Sequence, residues 1–346
     1  MLALTYEGLQ ALLVSWGEPR FRAEQVWQWL YRRLATSPEE MTNIPRALRR
    51  RLLEETDITR LEVAGLQAAD DGLTDKILFQ TADGQSFETV LMRYEDRNTV
   101  CVSSQIGCAV GCEFCATGQG GLVRDLGADE ISAQVLHVAR TLAGEGRTLT
   151  NVVLMGMGEP LLNYDAVWTA ITNLHRGMGL GMRRFTISTS GIVPGIERLA
   201  AEGSGVGLAI SLHAPDNALR DRLVPINRRY PIEDLLDAVA RYAERTGRRP
   251  TFEYVLIDGV NDAVSQAEAL VARLRGRLCH VNLIPLNATP GCDLQPAPTA
   301  QVLRFRDALV RGGVETTVRI SRGSEIRAGC GQLRSAQPAQ RQNGET

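Results

Sequence analysis

The stretch Cys108-Ala-Val-Gly-Cys112-Glu-Phe-Cys115-Ala-Thr-Gly118 places three cysteines at C-x3-C-x2-C spacing. It sits between a β-branched run, Thr99-Val-Cys-Val-Ser103, and a glycine-rich loop. Such spacing lets one loop curl its thiols toward a single point. Thiolates are soft ligands and favour iron–sulfur clusters, zinc or copper(I). Three ligands from one loop, with no fourth cysteine or histidine close by, leave a metal position open, which points to chemistry at the metal. Zinc motifs usually show two paired C-x2-C units, and this chain has one. That argues against a structural zinc site completed from a distance.

Length and composition bound the rest. A chain of 346 residues holds one large α/β domain and a small extra one. Its hydrophobic content of 44% is ordinary for a globular protein. No run approaches the roughly 18 apolar residues that span a membrane, and Met1-Leu-Ala-Leu-Thr-Tyr-Glu lacks the pattern of a secretory signal. Seven cysteines, three of them in one loop, suggest a reducing compartment, so a cytoplasmic protein is expected. A net charge of −2 offers no global attraction to nucleic acid. An RNA partner would have to be met by local basic patches.

From Cys101 onward, strand-like runs alternate with helical segments. The strands are expected at Thr99–Ser103, Asn151–Met155, Arg184–Ser188, Gly207–Leu212, Thr251–Ile257, His280–Pro285 and Glu315–Ile320. Amphipathic helices include Ala128–Ala143, Asp165–Met178, Ile232–Thr246, Val264–Arg275 and Thr299–Gly312. Repeated β-then-α units imply parallel strands with helices packed outside. Six or so units are too few for a closed eight-stranded barrel and fit a partial (β/α)6 barrel. Functional residues in such barrels gather at the C-terminal ends of strands. Polar clusters do fall there: Gly156-Met-Gly-Glu-Pro160, Thr186-Ile-Ser-Thr-Ser-Gly191, Ser211-Leu-His213 and Pro285-Leu-Asn287.

Ahead of this core, residues 1–62 read as helical, with Val26, Trp27, Leu30 and Tyr31 on one apolar face and Arg46, Arg49, Arg50 and Arg51 clustered on a later helix. Residues 63–100 alternate apolar and polar around an Asp83-Gly turn, as two or three antiparallel strands would. On that pattern alone Glu88 reads as a solvent-facing strand residue. The core runs over 101–333, and the tail at 334–346, almost without apolar residues, should be disordered.

The cysteine loop resembles that of the radical S-adenosylmethionine (SAM) enzymes, in which three cysteines hold a [4Fe–4S] cluster. Cys101-Val-Ser-Ser-Gln-Ile-Gly-Cys108, Ala116-Thr-Gly118, Phe21-Arg-Ala-Glu-Gln-Val, Met41-Thr-Asn-Ile-Pro45 and Ala328-Gly-Cys-Gly-Gln-Leu333 narrow the likeness to the RlmN/Cfr-type RNA adenosine methyltransferases. It covers roughly residues 20–333. One departure is Gly120-Gly-Leu122, where the family more often has glycine followed by phenylalanine.

The resemblance implies a partial (β/α)6 radical SAM barrel with a helical RNA-binding accessory domain and a short β-extension. It assigns Cys108, Cys112 and Cys115 to the cluster. Gly158, Glu159, Ser188, Ser211, Leu212, His213 and Asn287 fall to SAM, with Ser190 as the alternative to Ser188. By the same resemblance, Cys330 takes a methyl group from one SAM, and a second SAM at the cluster is cleaved to a 5′-deoxyadenosyl radical that activates the S-methyl group for addition to adenine. Cys101 then attacks the Cys330 sulfur to release the product as a disulfide forms, and Glu88 acts as general base.

Two SAM molecules per turnover, 23S rRNA and tRNA substrates, a flavodoxin-like or ferredoxin-like electron donor and a monomer are what the family implies. The helical domain and Met41-Thr-Asn-Ile-Pro45 favour RlmN-type methylation at adenine C2 over Cfr-type methylation at C8. A radical SAM enzyme acting on a peptide or small molecule is a further alternative, against which Cys330 and Cys101 argue. A non-catalytic RNA-binding protein with a structural metal is the rival from another class. Cys279 and Cys292 match no motif and read as ordinary thiols.

Overall fold

The computed structural model describes residues 1–58, 61–289, 291–319 and 322–334. Three helices open the chain: α1 (Tyr6–Ser15), α2 (Phe21–Tyr31) and α3 (Arg46–Glu55). Thr5 caps α1 by accepting the Gly8 N–H at 3.1 Å. The expected apolar face of α2, with Val26, Trp27, Leu30 and Tyr31, is buried. Part of its cover comes from far along the chain. Tyr31 packs so closely on Gly177 that a Cβ there would strike the ring, and Asn173 Nδ2 donates to Leu4 O at 2.9 Å. The helices and the core behind them therefore share one continuous hydrophobic cluster.

Strands β1 (Glu62–Ala68), β2 (Thr74–Gln80) and β3 (Ser86–Arg93) form an antiparallel meander. All eight residues of β3 are buried, because the strand is covered on both faces. This corrects the solvent-facing reading of Glu88, which is 7% exposed. An alternating pattern marks one buried face only when the other face meets water, and here it does not.

Strand β4 (Asn98–Cys101) pairs antiparallel with β3 and parallel with the strands that follow. The cysteine loop comes next, framed by a small ladder of β5 (Gln105–Gly107) and β6 (Leu122–Asp125), with one helical turn, α4 (Ala116–Gln119), between them. Helix α5 (Ala128–Gly144) then leads to β7 (Asn151–Leu154), and α6 (Tyr164–Met178) to β8 (Phe185–Thr189). Helix α7 (Val193–Ala201) leads to β9 (Gly207–Ser211). Helices α8 (Asn217–Leu223) and α9 (Ile232–Thr246) precede β10 (Thr251–Leu256). Last come α10 (Val264–Leu274), β11 (His280–Pro285), α11 (Thr299–Arg311) and β12 (Thr316–Val318).

The ten-stranded sheet runs β1-β2-β3-β4-β7-β8-β9-β10-β11-β12, and from β4 onward every neighbour is parallel. Six crossovers and a last strand make the partial (β/α)6 barrel. The strands lie within a residue or two of their expected bounds, although the expected end of the last, Ile320, is outside the described residues. So is the tail from Ser335. Among the described residues no helix is long and apolar enough to cross a membrane.

Candidate active site

A cavity lies at the C-terminal ends of the parallel strands, on the face where barrels of this kind place their chemistry. Cys108, Cys112 and Cys115 form one wall. Their loop is shaped by Gly107, at φ 77°, where a Cβ would run into the Gly121 carbonyl. Beneath it Val110 and Phe114 pack on Leu223, Val255, Ile257 and Leu286, a small apolar cluster separate from the main core. Burial drives the Cys108 thiol up to about 12. It drives Cys112 well above the ordinary thiol value, and the neighbouring sulfurs of Cys115 and Cys108 push the same way.

These thiols sit close enough to disfavour one another's charge. Yet no three His, Cys, Asp or Glu side chains among the described residues converge tightly enough to hold one metal ion. Three soft donors ringed around a cavity fit a cluster of several irons better than a lone zinc. The donor set therefore fits a [4Fe–4S] cluster.

The turn after β7 brings in Gly158 and Glu159. Gly158 has φ 101°, and a Cβ on it would come within 2.6 Å of Gln105. Glu159 is 3% exposed, and burial raises its carboxyl pKa. Three donors oppose that: the Leu161 N–H at 3.0 Å, the Ser190 N–H at 2.6 Å and Ser190 Oγ at 2.7 Å. Ser190 is thus committed to Glu159. Ser188, on the same wall, makes no side-chain hydrogen bond among the described residues, so its hydroxyl is the freer of the two for a ligand.

After β9, Ser211 and His213 face the cavity. His213 adopts φ 59°, accepts the Val255 N–H on Nδ1 at 3.0 Å and meets the Phe114 ring edge-on at 4.9 Å. Burial holds its pKa down at about 3, so the ring is neutral. Leu212 differs from its neighbours. Its side chain is in the core, 1% exposed, and its carbonyl accepts from Arg220 Nε at 3.0 Å. It lies off the cavity wall. Asn287 is on the wall and donates from Nδ2 to the Cys330 carbonyl at 3.1 Å.

Cys330 closes the cavity from the C-terminal loop, and its residue is exposed. The loop is held by its backbone and by Gln332. The Ala116 N–H donates to Gly331 O at 2.8 Å, and Gln332 Nε2 to Ala288 O at 2.8 Å. Cys330 also lines a second, smaller cavity with Cys101, at the end of β4. Both are free thiols. Glu88 is in neither wall. Its carboxylate pairs with Lys76 Nζ at 3.1 Å and accepts the Arg334 N–H at 3.0 Å, which ties β3 to the segment just after the Cys330 loop.

Sequence reading missed two supports of this site. Arg220, fully buried, donates to the carbonyls of Leu212, Ser211 and Ser190 and to Asn227 Oδ1 at 2.9 Å, which locks the ends of β8 and β9 together. The signal for it was an arginine three residues before Leu223, on the buried face of α8. Gln105 accepts the Glu159 N–H at 2.8 Å and donates to Asp125 at 2.7 Å, joining the cysteine loop to the turn after β7. Cys292, read as an incidental thiol, donates to Glu113 O inside the cysteine loop at 3.6 Å.

The barrel, the three-thiol loop and the cavity at its strand ends define a radical SAM enzyme. Residues 102–269 match the model of the Radical SAM superfamily, and residues 1–58 match the Ribosomal RNA large subunit methyltransferase N-terminal domain. A crystal structure of a radical SAM methyltransferase from Sphaerobacter thermophilus superposes with a TM-score of 0.94 at 53% identity, over 96% of this chain and 98% of that one.

Among curated proteins, one from Frankia alni named "Probable dual-specificity RNA methyltransferase RlmN" is 51% identical over 98% of this chain and 83% of its own. One of the same name from Moorella thermoacetica is 50% identical over 95% of each chain. The chain belongs to the RlmN family of radical SAM enzymes.

Proposed function

We propose that this SAM-dependent RNA methyltransferase methylates C2 of an adenosine in 23S rRNA, at the peptidyl transferase centre, and of the adenosine 3′ of the anticodon in some tRNAs. The observation that carries the reading is the position of Cys330, which faces the cavity of Cys108, Cys112 and Cys115 on one side and Cys101 on the other. A thiol so placed can visit SAM, the target base and a second thiol in turn. When bound, the cluster supplies the electron that cleaves SAM to a carbon radical, chemistry an unreactive aromatic C–H position requires.

The chain's own residues do the remaining work. Cys108, Cys112 and Cys115 hold the cluster. Gly158 and Glu159 take the SAM amino group, Glu159 keeping lone pairs beyond its bonds to Ser190. Ser188, Ser211, His213 and Asn287 supply further polar contacts, and Leu212 contributes through the backbone that Arg220 holds. The exposed Cys330 sulfur takes a methyl group from SAM and carries it to the base. Cys101 later attacks that sulfur, so a disulfide replaces the bond to the RNA. Glu88 takes the proton lost from the ring carbon, which requires its contact with Arg334 to open when RNA enters. Arg46, Arg49 and Arg50, which line a shallow groove on α3, are the candidate phosphate contacts. A flavodoxin-like or ferredoxin-like donor, a monomeric state and a cytoplasmic location complete the reading.

The test is nucleoside mass spectrometry after anaerobic incubation of cluster-reconstituted protein with SAM, a reductant and unmodified 23S rRNA fragments or tRNA. 2-Methyladenosine is expected. 8-Methyladenosine would move the chain to Cfr-type regiochemistry, and 5′-deoxyadenosine without any methylated adenosine would mean that the substrate is another molecule.

A further inference from the structure

Arg319 follows β12, and its backbone N–H donates to Leu283 O at 2.8 Å. Its side chain reaches the meeting point of three cavities. One is the main cavity, one is shared by Cys101 and Cys330, and the third is a polar cavity lined in part by Thr99, Asn151 and Asn282. A guanidinium there carries five donors and a charge that needs an anion. Among the described residues it makes no ion pair within 4 Å, and its one side-chain hydrogen bond is to Met155 Sδ at 4.0 Å. Glu253 lines two of the same cavities and favours the charge on Arg319, but it makes no ion pair with it within 4 Å and does not line the cavity shared by Cys101 and Cys330. Burial raises its pKa, and one of its oxygens already accepts from Asn282 at 3.1 Å.

Of the groups that favour the charge on Arg319, the Cys330 sulfur acts most strongly, followed by Glu253, Tyr94 and the Cys101 sulfur. Burial drives the Cys101 thiol up to about 12, the neighbouring Cys330 pushes it further, and Arg319 opposes both. Cys101 is therefore held as the neutral thiol near pH 7. A nucleophile so held needs a counter-charge at the moment it acts. The other titratable groups facing the shared cavity are Tyr94, Arg322 and Cys330. Arg322 lies over the Tyr94 ring at 4.6 Å, opposite no carboxylate, and sends Nη1 to Arg93 O at 3.4 Å. Of these two arginines, Arg319 is the one that also lines the main cavity with Cys330.

We infer that Arg319 is a positioning residue for product release: it is the counter-charge that supports the Cys101 thiolate as it attacks the Cys330 sulfur. The inference rests on the roles proposed for the two cysteines. In the step, the S–S bond forms as the bond from Cys330 sulfur to the RNA methylene breaks. The electron pair of that bond passes to the methylene carbon, which takes one proton and becomes the methyl group. The two sulfurs end oxidised as a disulfide, and the carbon is reduced.

The test follows the protein–RNA crosslink over time by denaturing electrophoresis, from pH 7 to 9, with reconstituted wild type, Cys101→Ala, Arg319→Gln and Arg319→Lys. Mass spectrometry reads S-methylation of Cys330 in each. Arg319→Gln is expected to methylate Cys330 and to release the crosslink at least tenfold more slowly, with its pH profile displaced upward. Arg319→Lys should return the profile toward wild type. Wild-type release by Arg319→Gln, or a lysine variant no better than the glutamine one, would overturn the inference, as would loss of S-methylation in both variants. If Cys101→Ala accumulates no crosslink, the underlying role of Cys101 fails instead.

Discussion

The molecule carries cysteines on two loops that face each other across one cavity, and the loops are built in opposite ways. Residues 108–115 are anchored from below by Val110 and Phe114 in an apolar cluster, and the thiols of Cys108 and Cys112 are raised in pKa chiefly by burial. Residues 328–333 present an exposed Cys330, held mainly through backbone bonds to Ala116 and Asn287 and through Gln332. The same side chain is thus presented in two different settings, which suit the two tasks proposed for it. A fixed set of thiols suits a permanent metal group, and a reachable thiol on a glycine-flanked loop suits a carrier that must change partners. The two loops are joined directly, so one cannot be displaced without disturbing the other.

That contrast can be broken experimentally. The largest effect is expected from Cys112→Ala, which should bring iron content and 5′-deoxyadenosine formation to background, while Cys330→Ala keeps both and makes no methylated adenosine. Equal iron loss in the two variants would erase the distinction between the loops. Gly158→Ala comes next. Its φ of 101° and the approach of Gln105 should cost about 1–3 kcal/mol of stability or more, read as a lowered thermal midpoint. An unchanged midpoint would show the turn after β7 to be soft.

An effect confined to acid conditions, and small near neutral pH, tests the packing around the cysteine loop. His213 has its folded pKa depressed to about 3, below the ordinary value of 6.5. Between those values the unfolded chain binds the extra proton, so stability falls as pH drops from 6.5 toward 3, by up to about 1.4 kcal/mol per unit from this group. His213→Gln should flatten that dependence in thermal melts. An identical slope in the variant would mean that the ring is not held neutral. The smallest effect is at Arg50, exposed and 3.8 Å from Glu54. Arg50→Ala should change stability by less than about 0.5 kcal/mol, yet reduce the salt slope of RNA binding by about one. An unaltered slope would remove this arginine from the RNA contact.

Much of this was legible in the chain. The C-x3-C-x2-C spacing and the polar clusters at four strand ends are local features, and local features survive folding unchanged. Strand and helix bounds came out within a residue or two because Ile, Val and Leu runs between helical segments record burial on both faces. Glu88 was misread for the converse reason. Its strand alternates like an edge strand, and only the arrival of Arg334 and Lys76 shows that neither face is free. Leu212 was assigned to SAM by resemblance, and the structure adds that its side chain, just past the end of β9, lies in the core, which leaves its backbone for that role.

By itself, then, the sequence determined the class of metal chemistry and the α/β alternation, since residue type and short spacing encode these. The tertiary structure alone decided which groups share a cavity. Cys101 and Cys330 are separated by 229 positions in the chain yet line one pocket with Arg319, and Arg220 bonds to carbonyls at the ends of two different strands. Such meetings depend on strand register and on how helices close over the sheet, and those are properties of packing between distant segments that no local pattern records.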